Sequence, residues 1–144
     1  MARRALAQQP RIVPITYQVA DTFVRRAQGD RLNRRGHLFA LAAITPIGQM
    51  AAVAHIAHPR AWMADDAATA DVACLTPADP DVHTQLVRMA WRITRFLGYR
   101  RLIHRAPFNA DTTGIRNAGL GLAAVDAHGE YAVWEITARP RRWW

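Results

Sequence analysis

Three arginines spaced four and three residues apart, Arg88, Arg92 and Arg95, fall on one side of any helix that carries them. Guanidinium groups in that array can grip phosphate oxygens bidentately, or simply form the solvated face that most helices present. A second basic group, Arg31, Arg34 and Arg35, sits in a short connection, and the chain closes on Arg139-Pro140-Arg141-Arg142-Trp143-Trp144. Arginine beside indole is the chemistry of single-stranded nucleic-acid binding, with charge for phosphates and ring faces for unpaired bases. The residues expected to meet a nucleic acid are therefore Arg31, Arg34, Arg35, Arg92, Arg95, Arg141, Arg142 and Trp143. Terminal indoles also avoid full exposure, so they are expected to contact the protein's own surface, a second subunit or a ligand, and a homodimer is compatible with them.

Other reactive side chains carry less information. His55-Ile56-Ala57-His58 offers two imidazoles three positions apart. On a strand these face opposite sides, and His37, His83 and His104 belong to separate elements, so no metal site is expected. Cys74, the one cysteine, is a nucleophile only if its thiol is ionised beside a base; otherwise it is a small core residue. Thr76 and Thr84 flank a helix start and could orient a substrate or bond to backbone.

The elements that must position these groups follow from apolar runs bounded by proline and glycine. Arg11 to Ile15 reads as a strand, and Pro14 confines it to an edge or a strand end. Thr16 can cap a helix over Gln18 to Gln28, with Val19, Phe23 and Ala27 as its apolar stripe and Gly29 as its stop. The runs His37 to Thr45 and Gln49 to His58, joined at Pro46-Ile47-Gly48, form a hairpin. After an irregular stretch containing Trp62 and Asp65-Asp66, Ala70 to Leu75 reads as a strand that Pro77 closes. Asp79-Pro80-Asp81 starts a helix reaching Leu97, with Leu86, Ala90, Ile93 and Leu97 as its buried stripe. Arg101 to Ala106 is a strand, Asp111 to Ala118 a short helix, and Leu122 to Asp126 and Tyr131 to Thr137 a final pair of strands. The division expected is a loose basic lead over residues 1–10, one domain over 11–138, and an Arg/Trp tail over 139–144.

Composition limits the classes. A chain of 144 residues with 51% apolar and 21% charged side chains can bury a single core. No run approaches the roughly 20 apolar residues of a membrane helix, so no membrane partner is expected. The N-terminal charges precede no long apolar stretch, so no secretory signal is read and a cytoplasmic location is expected. Nineteen basic against 11 acidic residues leave a net charge of +8, which draws polyanions and raises their encounter rate.

The order strand, helix, three strands, helix, strand, helix, two strands defines one α/β unit. With Asp71-Val72-Ala73-Cys74-Leu75, the helix carrying Trp91-Arg92, Leu97-Gly98-Tyr99-Arg100-Arg101-Leu102, and Asn109 through Asn117-Ala118-Gly119-Leu120, it resembles the GNAT acetyltransferase superfamily. More narrowly it is similar to the short GNAT-like proteins of phages and other mobile elements, whose wider relatives include the Mom proteins that modify adenine in DNA. The resemblance implies a mixed, splayed central sheet flanked by helices and a transferase with acetyl-CoA as donor. It makes Asp71 the candidate base, and it places Val72, Leu75, Thr76, His83, Thr84, Arg88 and Asn109 at the cofactor. It also places the donor's pyrophosphate on free backbone NH groups at the helix start after Leu75. There the stretch Leu75 to Thr84 departs from the family: it has no glycine, Pro77 and Pro80 lack NH groups, and Asp79 and Asp81 put carboxylates where the diphosphate would lie. Where many relatives carry a tyrosine that protonates the leaving thiolate, this chain has Ile115. The implied function is an acyltransferase with a divergent donor site acting on a polyanion; the alternative is a binding module on the same scaffold that has lost the donor.

Overall fold

A computed structural model describes residues 9–60 and 67–139. Trp62, Asp65, Asp66, Arg141, Arg142, Trp143, Trp144 and most of the basic lead lie outside those residues.

The elements run β1 (Arg11–Ile15), α1 (Tyr17–Gln28), β2 (His37–Ile44), β3 (Met50–Ala57), β4 (Thr69–Leu75), α2 (Pro80–Phe96), β5 (Arg101–Pro107), α3 (Thr113–Asn117), β6 (Gly121–Val125) and β7 (Tyr131–Thr137). They form one seven-stranded sheet in the order β1-β2-β3-β4-β5-β7-β6. Neighbouring strands are antiparallel except β4 and β5, which are parallel and joined through α2. Parallel neighbours need such a crossover, because a tight turn can only reverse the chain. Pro14 lies in edge strand β1, where its missing NH costs no ladder bond.

The helices cover opposite faces. Ala20 and Val24 of α1 pack with Leu32 against Ala40, Ala42 and Val53. Leu86, Val87 and Ala90 of α2 pack with Leu41, Ile56, Val72 and Leu102 on the other side. Of the stripe expected for α1, Phe23 is half-buried against the α1 cluster, but the buried positions are Ala20 and Val24, and Val19 and Ala27 are exposed. Both sets recur every four residues, so periodicity alone does not distinguish the faces. Leu97 likewise turns to solvent as the C-cap of α2, and Val82 and Thr94 join the buried side instead.

The contact that fixes α3 is close backbone packing at Gly114. A Cβ on Gly114 would stand 2.5 Å from the His83 Cβ and 2.6 Å from the Pro80 carbonyl oxygen. The Thr84 hydroxyl meets the carbonyls of Pro80 and Gly114, at 2.8 Å each, tying the start of α2 to α3. Alanine in a helix is favoured over glycine by about 1 kcal/mol, but overpacking against fixed backbone costs about 1–3 kcal/mol. Gly114→Ala is therefore expected to lower unfolding free energy by about 1–2 kcal/mol in urea denaturation. Gly121→Ala, whose Cβ meets open space, should change it by less than about 0.5 kcal/mol; equal effects would contradict the packing described.

Candidate active site at the strand fork

The parallel ladder between β4 and β5 joins Thr69 to Arg101, Ala70 to Leu102 and Asp71 to Ile103, then stops. β4 nevertheless stays on β3 as far as Leu75, and β5 stays on β7 as far as Pro107. The two strands therefore part beyond Asp71. One β3 step from His55 to Ile56 faces two β4 steps from Cys74 to Val72, so Ala73 is a bulge that bends β4 where the parting begins. The Val72 carbonyl accepts a hydrogen bond from His104 Nδ1 at 2.8 Å. A carbonyl can only accept, so His104 carries its proton on Nδ1, and burial lowers its pKa toward the neutral ring.

A cavity of about 810 Å³ occupies the fork, and Asp71 lines it. This carboxyl is 7% exposed, and its Oδ1 has no hydrogen-bond partner among the described residues. Burial pushes its pKa up to about 7, against the opposing pull of the Arg60 and Arg105 guanidiniums. Desolvation wins because neither arginine closes onto Oδ1. The product is a carboxyl poised to accept or release a proton near neutral pH.

Beside it stands a histidine pair that sequence reasoning left on separate elements. The bulge between His37 and Phe39 in the β2–β3 register brings His37 Nδ1 within 2.9 Å of His55 Nε2. Tyr17 sets its ring edge-on to both, and its hydroxyl donates to the Leu32 carbonyl at 2.7 Å. Burial, reinforced by His37, depresses the His55 pKa to about 4; burial and then Arg34 lower that of His37. Both rings are thus neutral at pH 7, and one donates to the other. His58, just beyond the end of β3, reaches the same cavity as His55 instead of the opposite face. Among the described residues no three His, Cys, Asp or Glu side chains converge as a metal would require.

The remaining expected site residues separate into cavity and surface. Val72, Leu75, His83, Arg31 and Arg35 line the cavity. His83 Nε2 donates to the Thr76 carbonyl at 2.7 Å. The Thr76 hydroxyl is buried, accepting from the Val53 amide at 2.7 Å and donating to the Val53 carbonyl at 3.2 Å. Thr76 and Thr84 thus use their hydroxyls to join elements. Cys74 borders the cavity, but burial, with Asp30 nearby, pushes its thiol up to about 11, the reverse of an activated nucleophile. Asn109 is exposed outside the cavity lining. Arg88 donates to the Asn117 carbonyl at 3.1 Å and so caps α3, whereas Arg92 is exposed and Arg95 lies over the Trp91 ring. Arg34 lies over Tyr17, while Arg60 and Arg105, which sequence reasoning did not single out, line the cavity; Arg105 stacks on Tyr131 at 3.7 Å.

This architecture, a single α/β domain built on an open mixed sheet, is the GNAT fold. No protein-family model matches the sequence, and no curated protein matches it. Solved structures do. The GNAT domain of S. lividans PAT superposes with a TM-score of 0.63 at 18% identity, over 90% of each chain. An IAA acetyltransferase from Bacillus cereus gives 0.64 at 11% identity, over 89% of this chain and 99% of that one. A GNAT-family N-acetyltransferase from Escherichia coli, solved in complex with CoA, gives 0.59 at 15% identity, over 88% and 81%. No helix among the described residues is long and apolar enough to cross a membrane.

A carboxyl whose folded pKa exceeds its unfolded one makes the folded state hold more protons, so stability falls as pH rises between the two values. For Asp71 that window runs from about 4 to about 7. Asp71→Asn removes the buried charge at similar shape. It is expected to be more stable than wild type by up to about 4 kcal/mol at pH 8, narrowing to about 1–2 kcal/mol at pH 5, in paired urea denaturations. An equal difference at both pH values would contradict the raised pKa.

Proposed function

We propose that the protein is an acyltransferase of the GNAT type whose acceptor is an amine on a nucleic acid or another polyanion. The observation that supports this most is Asp71: a buried carboxyl with an unpartnered oxygen, facing a cavity between parted strands and titrating at about 7. Near neutral pH a large share of molecules carries the carboxylate, which can take the proton that the acceptor nitrogen sheds as it attacks an acyl carbonyl. The new C–N bond forms as the C–S bond of an acyl thioester breaks. The proton held on Asp71 balances the one that the released thiol takes from water. Arg31, Arg35 and Arg60 line the same cavity, so an acceptor bearing phosphates is drawn toward the base. A DNA base amine, the acceptor class of the Mom-like proteins, satisfies both requirements.

Acetyl-CoA is the donor that the resemblance implies, and CoA accompanies the Escherichia coli neighbour. The fork has room for an acyl arm. The start of α2 does not fit the diphosphate, because Asp79 Oδ1 already takes the Val82 amide at 3.1 Å and Asp81 adds a second carboxylate in the same turn. That closed helix start, with buried Ile115 where relatives carry tyrosine, favours a second reading: a polyanion-binding module on a scaffold without transfer.

Mass spectrometry of DNA oligonucleotides incubated with the protein and an acetyl thioester separates the two. The transferase reading predicts an acetyl adduct whose rate rises with pH through a midpoint near 7 and falls about 100-fold or more in Asp71→Asn, with oligonucleotide affinity retained. Tight oligonucleotide binding with no adduct under any donor would establish the module instead.

A further inference from the structure

We infer that the donor site takes an acyl thioester on a short, uncharged arm and makes no use of a nucleotide diphosphate. This rests on the transferase reading and specifies its donor. Three observations carry it. First, the amides that open α2 are already committed. Pro80 has none, the Val82 amide donates to Asp79 Oδ1 at 3.1 Å, and the His83 amide donates to the Asp79 carbonyl at 3.2 Å. What remains is the Asp81 amide, which adjoins its own exposed carboxylate. An anion arriving here would have to displace a charged cap and pay a like-charge repulsion.

Second, α3 closes over this helix start. The Gly114 backbone lies so near Pro80 and His83 that even a methyl group does not fit, and the Thr84 hydroxyl ties the two segments together. A diphosphate is far larger than a methyl group. Opening the gap would cost the Thr84–Gly114 hydrogen bond as well as the packing.

Third, the guanidinium groups of the cavity do not come from α2 or α3. On the side bounded by α2 and α3 the walls include Val72, Leu75, Pro77, Ala78 and Ile115, with Asp111 as an added charge. The Thr113 amide and hydroxyl hold the Asp111 carboxyl below its usual range, so it is ionised at neutral pH. Arg88 is turned to the Asn117 carbonyl. The arginines in the cavity come from elsewhere: Arg31 and Arg35 from the loop after α1, which also brings the Asp30 carboxyl, Arg60 from the segment after β3, and Arg105 from β5. Apolar walls with the Asp111 carboxylate suit an amide-linked thioester arm and oppose a diphosphate; the side with three arginines against one carboxylate suits a phosphate-bearing acceptor.

The experiment compares acetyl-CoA with S-acetyl-pantetheine, which keeps the thioester and amide arm and lacks the nucleotide. Both are offered to the full-length protein in the oligonucleotide assay, and CoA and pantetheine are titrated calorimetrically. Two charge-assisted hydrogen bonds to a diphosphate would make acetyl-CoA better by about 100-fold or more in kcat/KM. The inference predicts values within about 3-fold of each other and matching affinities. A 100-fold preference for acetyl-CoA would overturn it while leaving the transferase reading intact. Absence of transfer and of binding for both donors would overturn the two together. The Asp79→Asn, Asp81→Asn double variant keeps a good helix cap and removes both charges. It should shift the kcat/KM ratio several-fold toward acetyl-CoA, and an unmoved ratio would remove those carboxylates from the explanation.

Discussion

The end of the β4–β5 ladder at Asp71 and Ile103 is the constraint from which the site follows. Had the strands stayed paired, the Val72 carbonyl would be bonded within the sheet and no cavity would separate Ala73 from Arg105. Instead β3 and β7 hold their neighbours while the middle opens, and the Ala73 bulge supplies the bend. A parted pair of strands inside a sheet exposes backbone polar groups, and each must find a partner or water. The His104 imidazole meets that demand for Val72. The fork is thus stabilised by a side chain on one of the strands that diverge.

Position in the fork then determines the chemistry of Asp71. The carboxyl lies at the last paired residue, where backbone packing excludes most water but no donor reaches Oδ1. Burial raises its proton affinity more than Arg60 and Arg105 lower it. The neutral His37–His55 pair, of which His55 lines the cavity, adds no positive charge that would reverse this balance. The loop after α1 brings Arg31, Arg35 and the Asp30 carboxyl to the cavity, whereas the side toward α2 and α3 is mostly apolar with the Asp111 carboxylate. This division gives the two reacting partners different environments.

The element order was legible in the sequence because prolines and glycines punctuate clear apolar runs. Asp79-Pro80-Asp81 marked a helix start to the residue, and Pro14 marked an edge. The buried face of α1 was not, since Val19, Phe23 and Ala27 keep the same spacing as Ala20 and Val24, and only the distance to the sheet chooses between them. Of the site, Asp71 was reached through a resemblance to a family. Nothing in its local sequence shows that Oδ1 is orphaned or that two arginines stand near. The His37–His55 contact spans 18 residues and depends on a one-residue shift in hairpin register, which spacing along the chain does not encode. The sequence left Thr76 and Thr84 open between orienting a ligand and bonding to backbone, and the partners that decide it, in β3 and α3, are distant along the chain.

The most direct test is the titration of Asp71 itself, by carbon NMR of the aspartate side-chain carboxyls, with Asp71→Asn used to assign the resonance. A chemical-shift midpoint near 7 is predicted, well separated from those of the exposed aspartates. A midpoint near 4 would mean that the carboxyl is solvated or paired, and Asp71 would then not be a base tuned to transfer at neutral pH.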